Sequence, residues 1–253
     1  MAEHHFHTPL PLELQTSIPA GDIEVQTVDG EESTVVVDGD ERLVEQTQVT
    51  HDGNRLVIAF QGKKPFGITI SIGDFSFGSR QLSVRVRVPH GTTAVFQTAS
   101  GDMKAAGRLG EVDVKTASGD FRLRGEIERD AVVKTVSGDA LLDRVGGDLK
   151  AQTVSGDVHV GWIGGSVEAK SVSGDVRFDS VREGSASFTS VSGDIEIGIA
   201  SGSFLDVDAG SVSGDLSSDV PLSQEPGGEG GDGPTVVLRG KTVSGDVKVF
   251  RAA

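Results

Sequence analysis

The sequence predicts an all-β protein: a single-stranded parallel β-solenoid with about 18–19 residues per rung and an irregular β cap at its N-terminal end. Three observations predict it. The triplet Ser-Gly-Asp occurs eight times, its glycines being Gly101, Gly119, Gly138, Gly156, Gly174, Gly193, Gly214 and Gly245, so that successive gaps are 18, 19, 18, 18, 19, 21 and 31 residues. Apolar and polar residues alternate beside the triplet, the period of a strand with one buried face. β-Branched residues dominate, and Gly-Asp interrupts any helical run, so helix is disfavoured throughout.

Residues 1–90 lack the strict period but read as strands: DIEVQTV, STVVVDG, RLVIAF, ITISI and LSVRVRV. Ala20-Gly21-Asp22-Ile23-Glu24-Val25 is a worn copy of the repeat phrase. This segment is expected to lead into the solenoid and cap it, covering a sheet edge that would otherwise template aggregation.

Residues 91–253 carry the repeat. Two places after the turn glycine stand residues such as Met103, Phe121, Val158, Val176 and Ile195; four places after stand Ala105, Leu123, Val160, Phe178 and Ile197. These +2 and +4 positions are expected to face inward, with Lys104, Arg122, His159, Arg177 and Glu196 outward between them. Upstream, positions −7 and −5 are apolar or small, as in Val167 and Ala169, and −2 is always Ala or Val. The odd step from −5 to −2 predicts a bend at the Thr or Ser at −3 that brings −2 back inside. A second glycine half-way along (Gly110, Gly147, Gly165, Gly184, Gly202) divides the rung into two arms. The two longest gaps read as insertions, and residues 219–234, which end in SQEPGGEGGDGP, as a flexible surface loop.

Composition narrows the function classes. Without cysteine, a disulfide framework and thiolate chemistry are excluded. A net charge of −15 lacks the basic footprint that nucleic acids and anionic membranes require, so neither is an expected partner. The opening MAEHHFHTPLPLELQTSIPAGD has no basic n-region or apolar h-region, and no stretch approaches a membrane span. The expectation is a cytoplasmic chain without a transmembrane segment.

The repeated turn has competing readings. Glycine permits a positive φ, and Asp and Ser side chains close Asx-type turns, so the phrase is first of all structural. Against this, Asp102, Asp120, Asp139, Asp157, Asp175, Asp194, Asp215 and Asp246 form a column of like charges. Neighbours about 4.8 Å apart repel by about 1 kcal/mol even in water, and such a column could recruit Ca²⁺. Lys115, Lys134, Lys170 and Lys241 at −4 offset the column without metal, so no metal or cofactor is expected. Gly227–Gly233 resembles one copy of a calcium-binding glycine-rich nonapeptide, with Pro234 where a large apolar residue belongs. A third reading turns the hydroxyls at −3 and −1 outward as stacked arrays of the ice-binding kind, which the neighbouring Asp charges oppose.

No nucleophile elbow, zinc-ligand spacing or phosphate-cradling loop is present, so no catalytic residue and no enzyme is expected. The expected function is a non-enzymatic scaffold, or a module binding a protein or an envelope component, with oligomerisation through solenoid ends or faces. The alternatives are a carbohydrate-binding or carbohydrate-processing β-helix, and a Ca²⁺-dependent solenoid.

LSVRVRVPHGTTAVFQTASGD followed by iterated T-V-S-G-D-V-x-V resembles the bacterial family labelled "putative adhesin", β-strand-repeat domains of unknown function. The resemblance runs from Gly21-Asp22 to Val247-Lys248-Val249. It implies a right-handed parallel β-helix of bacterial origin, with some relatives tied to the cell envelope or to envelope stress. The family has no agreed catalytic residues, so it implies none here.

Overall fold

The structure, a computed structural model, describes residues 1–61, 82–220 and 233–252. It is all-β, with long strands stacked in two sheets; among the described residues one sheet has twelve strands and the other eleven. Each rung gives one strand to each sheet. Val167–Lys170 runs in the eleven-stranded sheet, the chain turns at Ser173-Gly174-Asp175, and Val176–Val181 continues in the twelve-stranded sheet. Like residues stack in parallel register, Val158 on Val176 and Val160 on Phe178.

The inner faces of the two sheets meet in one hydrophobic cluster. Phe121, Leu123, Val158, Val160, Val176 and Phe178 are all buried, as the +2 and +4 positions require. Leu216 departs from this, being 47% exposed on Leu216–Ser218, the outermost strand of its sheet. Side chains adjust to each other across rungs. Phe188 lies in register with Gly240, and a Cβ on Gly240 would meet its ring.

The upstream arm differs from expectation. Alternation runs unbroken from −7 through −5 to −3, so the Thr or Ser at −3 points inward: Thr135, Thr153, Ser171, Ser190 and Thr242 are buried. The phase changes only afterwards, and the apolar residue at −2 faces solvent. Val136, Val154, Val172, Val191 and Val243 are each about half exposed. The strand has no bend at −3 because a buried hydroxyl is tolerated when it is hydrogen-bonded, and it is.

The rungs do not stack in chain order. Thr235–Thr242 lies between Gly184–Thr189 and Phe204–Ser211, and Val247–Arg251 lies between Ile195–Ile199 and Leu216–Ser218. The last rung is thus inserted beneath the one that precedes it in sequence. The N-terminal end does the same. Glu13–Ala20 and Asp22–Val28 fill a level between Arg55–Phe60 with Leu82–Pro89 on one side and Thr93–Ser100 with Met103–Leu109 on the other. The longest gap is therefore a return connection as well as an insertion.

Beyond that level the pairing turns antiparallel. Ala2–His7 pairs with Glu32–Gly39, which pairs with Leu82–Pro89, and Thr47–Asp52 pairs with Arg55–Phe60. One short helix, Glu41–Gln46, runs against the expectation of no helix; the Asp40 side chain caps it by accepting from the Arg42 N–H. The ITISI strand lies outside the described residues, as do residues 221–232 of the expected loop. Val220, at the start of that loop, is buried.

Candidate functional site

Each residue of the Thr-Val-Ser-Gly-Asp corner has its own task. The −3 hydroxyl closes the turn within its rung: Thr153 Oγ1 accepts from the Gly156 N–H at 3.0 Å and donates to the Gly156 carbonyl at 2.8 Å. Ser190 does the same at Gly193. The −1 serine works between rungs. Ser155 Oγ donates to the Val136 carbonyl and Ser173 Oγ to the Val154 carbonyl.

The aspartates also act between rungs. The Asp120 N–H donates to Asp102 Oδ1, Asp139 N–H to Asp120 Oδ1, Asp157 N–H to Asp139 Oδ1, and Asp175 N–H to Asp157 Oδ1. The chain of bonds continues through Asp194 and Asp246 to Asp215, and it begins at Asp22, the worn copy. Partners in it are mostly 18 or 19 residues apart, as for Asp157 and Asp194. All eight candidate aspartates are thus brought into one column, as expected, but they do not close Asx turns of their own. One oxygen of each carboxylate, except that of Asp215 at the end, holds the next rung.

The turn glycines need a different explanation from the expected one. Only Gly101 of the eight has a positive φ; Gly119, Gly138, Gly156, Gly174, Gly193, Gly214 and Gly245 do not. What each requires is space. A Cβ on Gly156 would run into the carbonyl oxygen of Gly138, one on Gly138 into that of Gly119, and so along the stack. The glycines are there so that corners can touch.

Residues 12–250 match the family described as Toastrack DUF4097. The chain belongs to the Toastrack DUF4097 family. Three solved structures share the architecture. A "putative lipid binding protein" from Parabacteroides distasonis is 15% identical, with TM-score 0.60 over 98% of this chain and 96% of that one. A "putative adhesin" from Bacteroides fragilis is 11% identical, with TM-score 0.57 over the same shares. A "putative adhesin" from Parabacteroides distasonis is 15% identical, with TM-score 0.57 and again 98% and 96% coverage. At these identities the likeness is one of fold. No curated protein matches the chain.

On this Toastrack chain the outward residues form rows of charge. His159 was expected to be plain surface; its Nε2 lies 2.7 Å from Asp179 Oδ2, and Arg177 bonds both Asp179 and Glu196. Burial pushes the Asp179 carboxyl up, but the bonds from His159 and Arg177 outweigh it and hold it below its ordinary value. Across the rod, Glu168 bonds Lys150 at 2.8 Å and Lys170 at 2.7 Å, and those two hydrogen bonds lower its pKa to about 2. Among the described residues no three metal-ligating side chains converge, and no helix is long and apolar enough to cross a membrane.

Sequence reasoning missed a second Toastrack ladder on the opposite corner. Asp148 N–H donates to Asp130 Oδ1, and Ser166 N–H to Asp148 Oδ1. Its signal was the Asp that recurs before Ala131 and Leu149, one place outside the −7 position. The calcium-like glycine segment falls mostly outside the described residues.

Proposed function

We infer that this Toastrack chain is a non-enzymatic binding module or scaffold that presents flat, charged sheet faces to an envelope component. The observation that carries this reading is the occupancy of the repeat. The hydroxyls and carboxylates of Thr-Val-Ser-Gly-Asp are spent on holding rungs together. That leaves the outward rows of the two sheets as the surface for recognition. The names given to structural neighbours, adhesin and lipid-binding protein, point the same way. A carbohydrate-processing reading needs an acid and a base converging in a groove. His159, Asp179 and Arg177 instead make an ion-paired row on an open face. The coil is taken as right-handed and single-stranded, the hand that connections between parallel strands strongly favour.

The test is to incubate the purified protein with envelope polymers and lipids while following both co-sedimentation and product release. Retention without turnover is expected. Turnover of any polymer, or retention of none, overturns the reading.

A further inference from the structure

We propose that the outer face of the twelve-stranded sheet, at its N-terminal end, docks a linear acidic polysaccharide. The proposal deepens the binding reading above and rests on it. Four adjacent strands build the face: Leu82–Pro89, Asp22–Val28, Met103–Leu109 and Phe121–Ile127. Their outward side chains include Arg85, Arg87, Lys104, Arg108, Arg122 and Arg124, all exposed. Asp22, Glu24 and Glu126 are the acidic residues on the same strands. Six cations therefore sit together on a molecule whose net charge is −15.

Among the described residues, only two of these cations lie within ion-pair distance of a carboxylate, although Lys104 stands in register with Glu24 and Arg108 with Glu126. Arg122 pairs with Asp120 at 2.8 Å and Arg85 approaches Asp38 at 3.9 Å. Among the described residues, Arg87, Lys104, Arg108 and Arg124 have no carboxylate within 4.0 Å. Lys104 and Arg122 are direct register partners on neighbouring strands, an arrangement of like charges that disfavours the sheet and that Glu24, in register with Lys104 on its other side, offsets only in part. The fold does not demand it: the equivalent position carries Leu141 in the next rung and Glu196 farther along. An anion lying across the strands would remove the repulsion.

The shape of the face selects the kind of anion. Ala106, exposed between Lys104 and Arg108 and in register with Arg124, leaves a low point between the cations. Arg85 and Arg87 line a shallow depression with Gln26 and Thr34, whose amide and hydroxyl suit sugar hydroxyls, and with Glu3 and Glu24, so the depression itself is mixed in charge. Lys104 and Arg122 stand on adjacent strands about 4.8 Å apart, comparable to one sugar of an extended chain. Single-stranded nucleic acid binds through aromatic platforms, and these four strands present none outward.

The test is affinity electrophoresis of the full chain in gels cast with polygalacturonate, with neutral dextran as control. Wild type should be retarded by polygalacturonate alone, less so as salt rises. Arg87→Glu, Lys104→Glu and Arg124→Glu together should weaken binding by at least about tenfold. Lys134→Glu, Arg239→Glu and Lys241→Glu make the same charge change on the other sheet and should bind like wild type. If charge reversal unfolds the protein, Gln at the same three positions should still weaken binding. The proposal is overturned by no retardation of wild type, by equal losses in both triples, or by tighter binding to phosphatidylglycerol vesicles or oligothymidylate. Those outcomes leave the non-enzymatic binding reading standing, whereas polymer turnover would end that reading and not this site.

Discussion

The backbone N–H of Asp157 donates to Oδ1 of Asp139 at 2.9 Å, and Asp157 Oδ1 in turn accepts from the Asp175 N–H at 2.9 Å. Each carboxylate is therefore both a surface charge and a link between rungs. The repulsion along the column, about 1 kcal/mol per neighbouring pair in water, is opposed by a charge-assisted hydrogen bond of comparable or greater worth. The repeat persists because its polar groups are satisfied either within the turn or by a neighbouring copy.

The turn glycine should be intolerant for a steric reason. Gly156→Ala drives a Cβ into the Gly138 carbonyl and should cost about 2 kcal/mol or more. Gly30→Ala, at φ +103° with open space around it, should cost only about 1 kcal/mol. Urea melts of the two variants give the comparison, and equal losses would mean that close stacking is not the constraint.

The residues at −3 and −2 should behave opposite to their polarity. Thr153→Val keeps the shape but leaves the Gly156 N–H and carbonyl without their buried partner, at a cost of about 1–3 kcal/mol. Thr153→Ser should be mild, since Ser171 and Ser190 already serve that position. Val154→Thr, on a side chain 44% exposed, should stay within about 0.5 kcal/mol. Thermal melts that rank these the other way would contradict the turn described here.

That pair shows how far the sequence could be read. Val158 and Val160 were legible as core because a strand's period is two and both residues are apolar. Thr153 and Val154 were not, because polarity alone assigns the hydroxyl outward and the valine inward. A hydrogen bond local to the turn reverses both. The stacking order was hidden for a related reason: near-identical rungs can pair with one another interchangeably, and nothing local to Val247 says that its neighbours are Ile195 and Leu216. The aspartate column was legible in sequence, but not that its bonds run between rungs. The basic face was hidden by the net charge of −15 and by its assembly from Arg85, Arg87, Lys104 and Arg122, which come together only after Asp22–Val28 is inserted among their strands.

Acid should dissolve one outer ion cluster in a defined window. Lys150 and Lys170 hold Glu168 at about 2, below its ordinary 4.5. A lowered carboxylate contributes stability that is fully present above the unfolded value and lost as pH falls through the folded one. The difference in melting temperature between wild type and Glu168→Gln should therefore be constant above about pH 4.5, shrink below it, and vanish near pH 2. A difference that grows on acidification would contradict the assignment.

Calcium should be irrelevant to stability if one oxygen of nearly every column carboxylate is already committed to the next rung. The melting temperature should be nearly the same in excess chelator and in millimolar Ca²⁺. A single site binding only the folded chain would add about 2.7 kcal/mol at a hundredfold excess over Kd. A saturable stabilisation of that size, lost in Asp157→Asn with Asp175→Asn, would make the column a metal site.

The most direct measurement is native-state amide exchange, read residue by residue, in wild type and in Asp157→Ala. The Asp157 side chain accepts from Asp175 and from no other aspartate, so the Asp175 amide should lose protection while the amide of Asp139, one rung the other way, keeps it. Global stability should fall by about 1 kcal/mol, the worth of one exposed charge-assisted bond. Unchanged protection at Asp175, or equal losses at Asp139 and Asp175, would contradict a ladder in which each carboxylate holds the next rung.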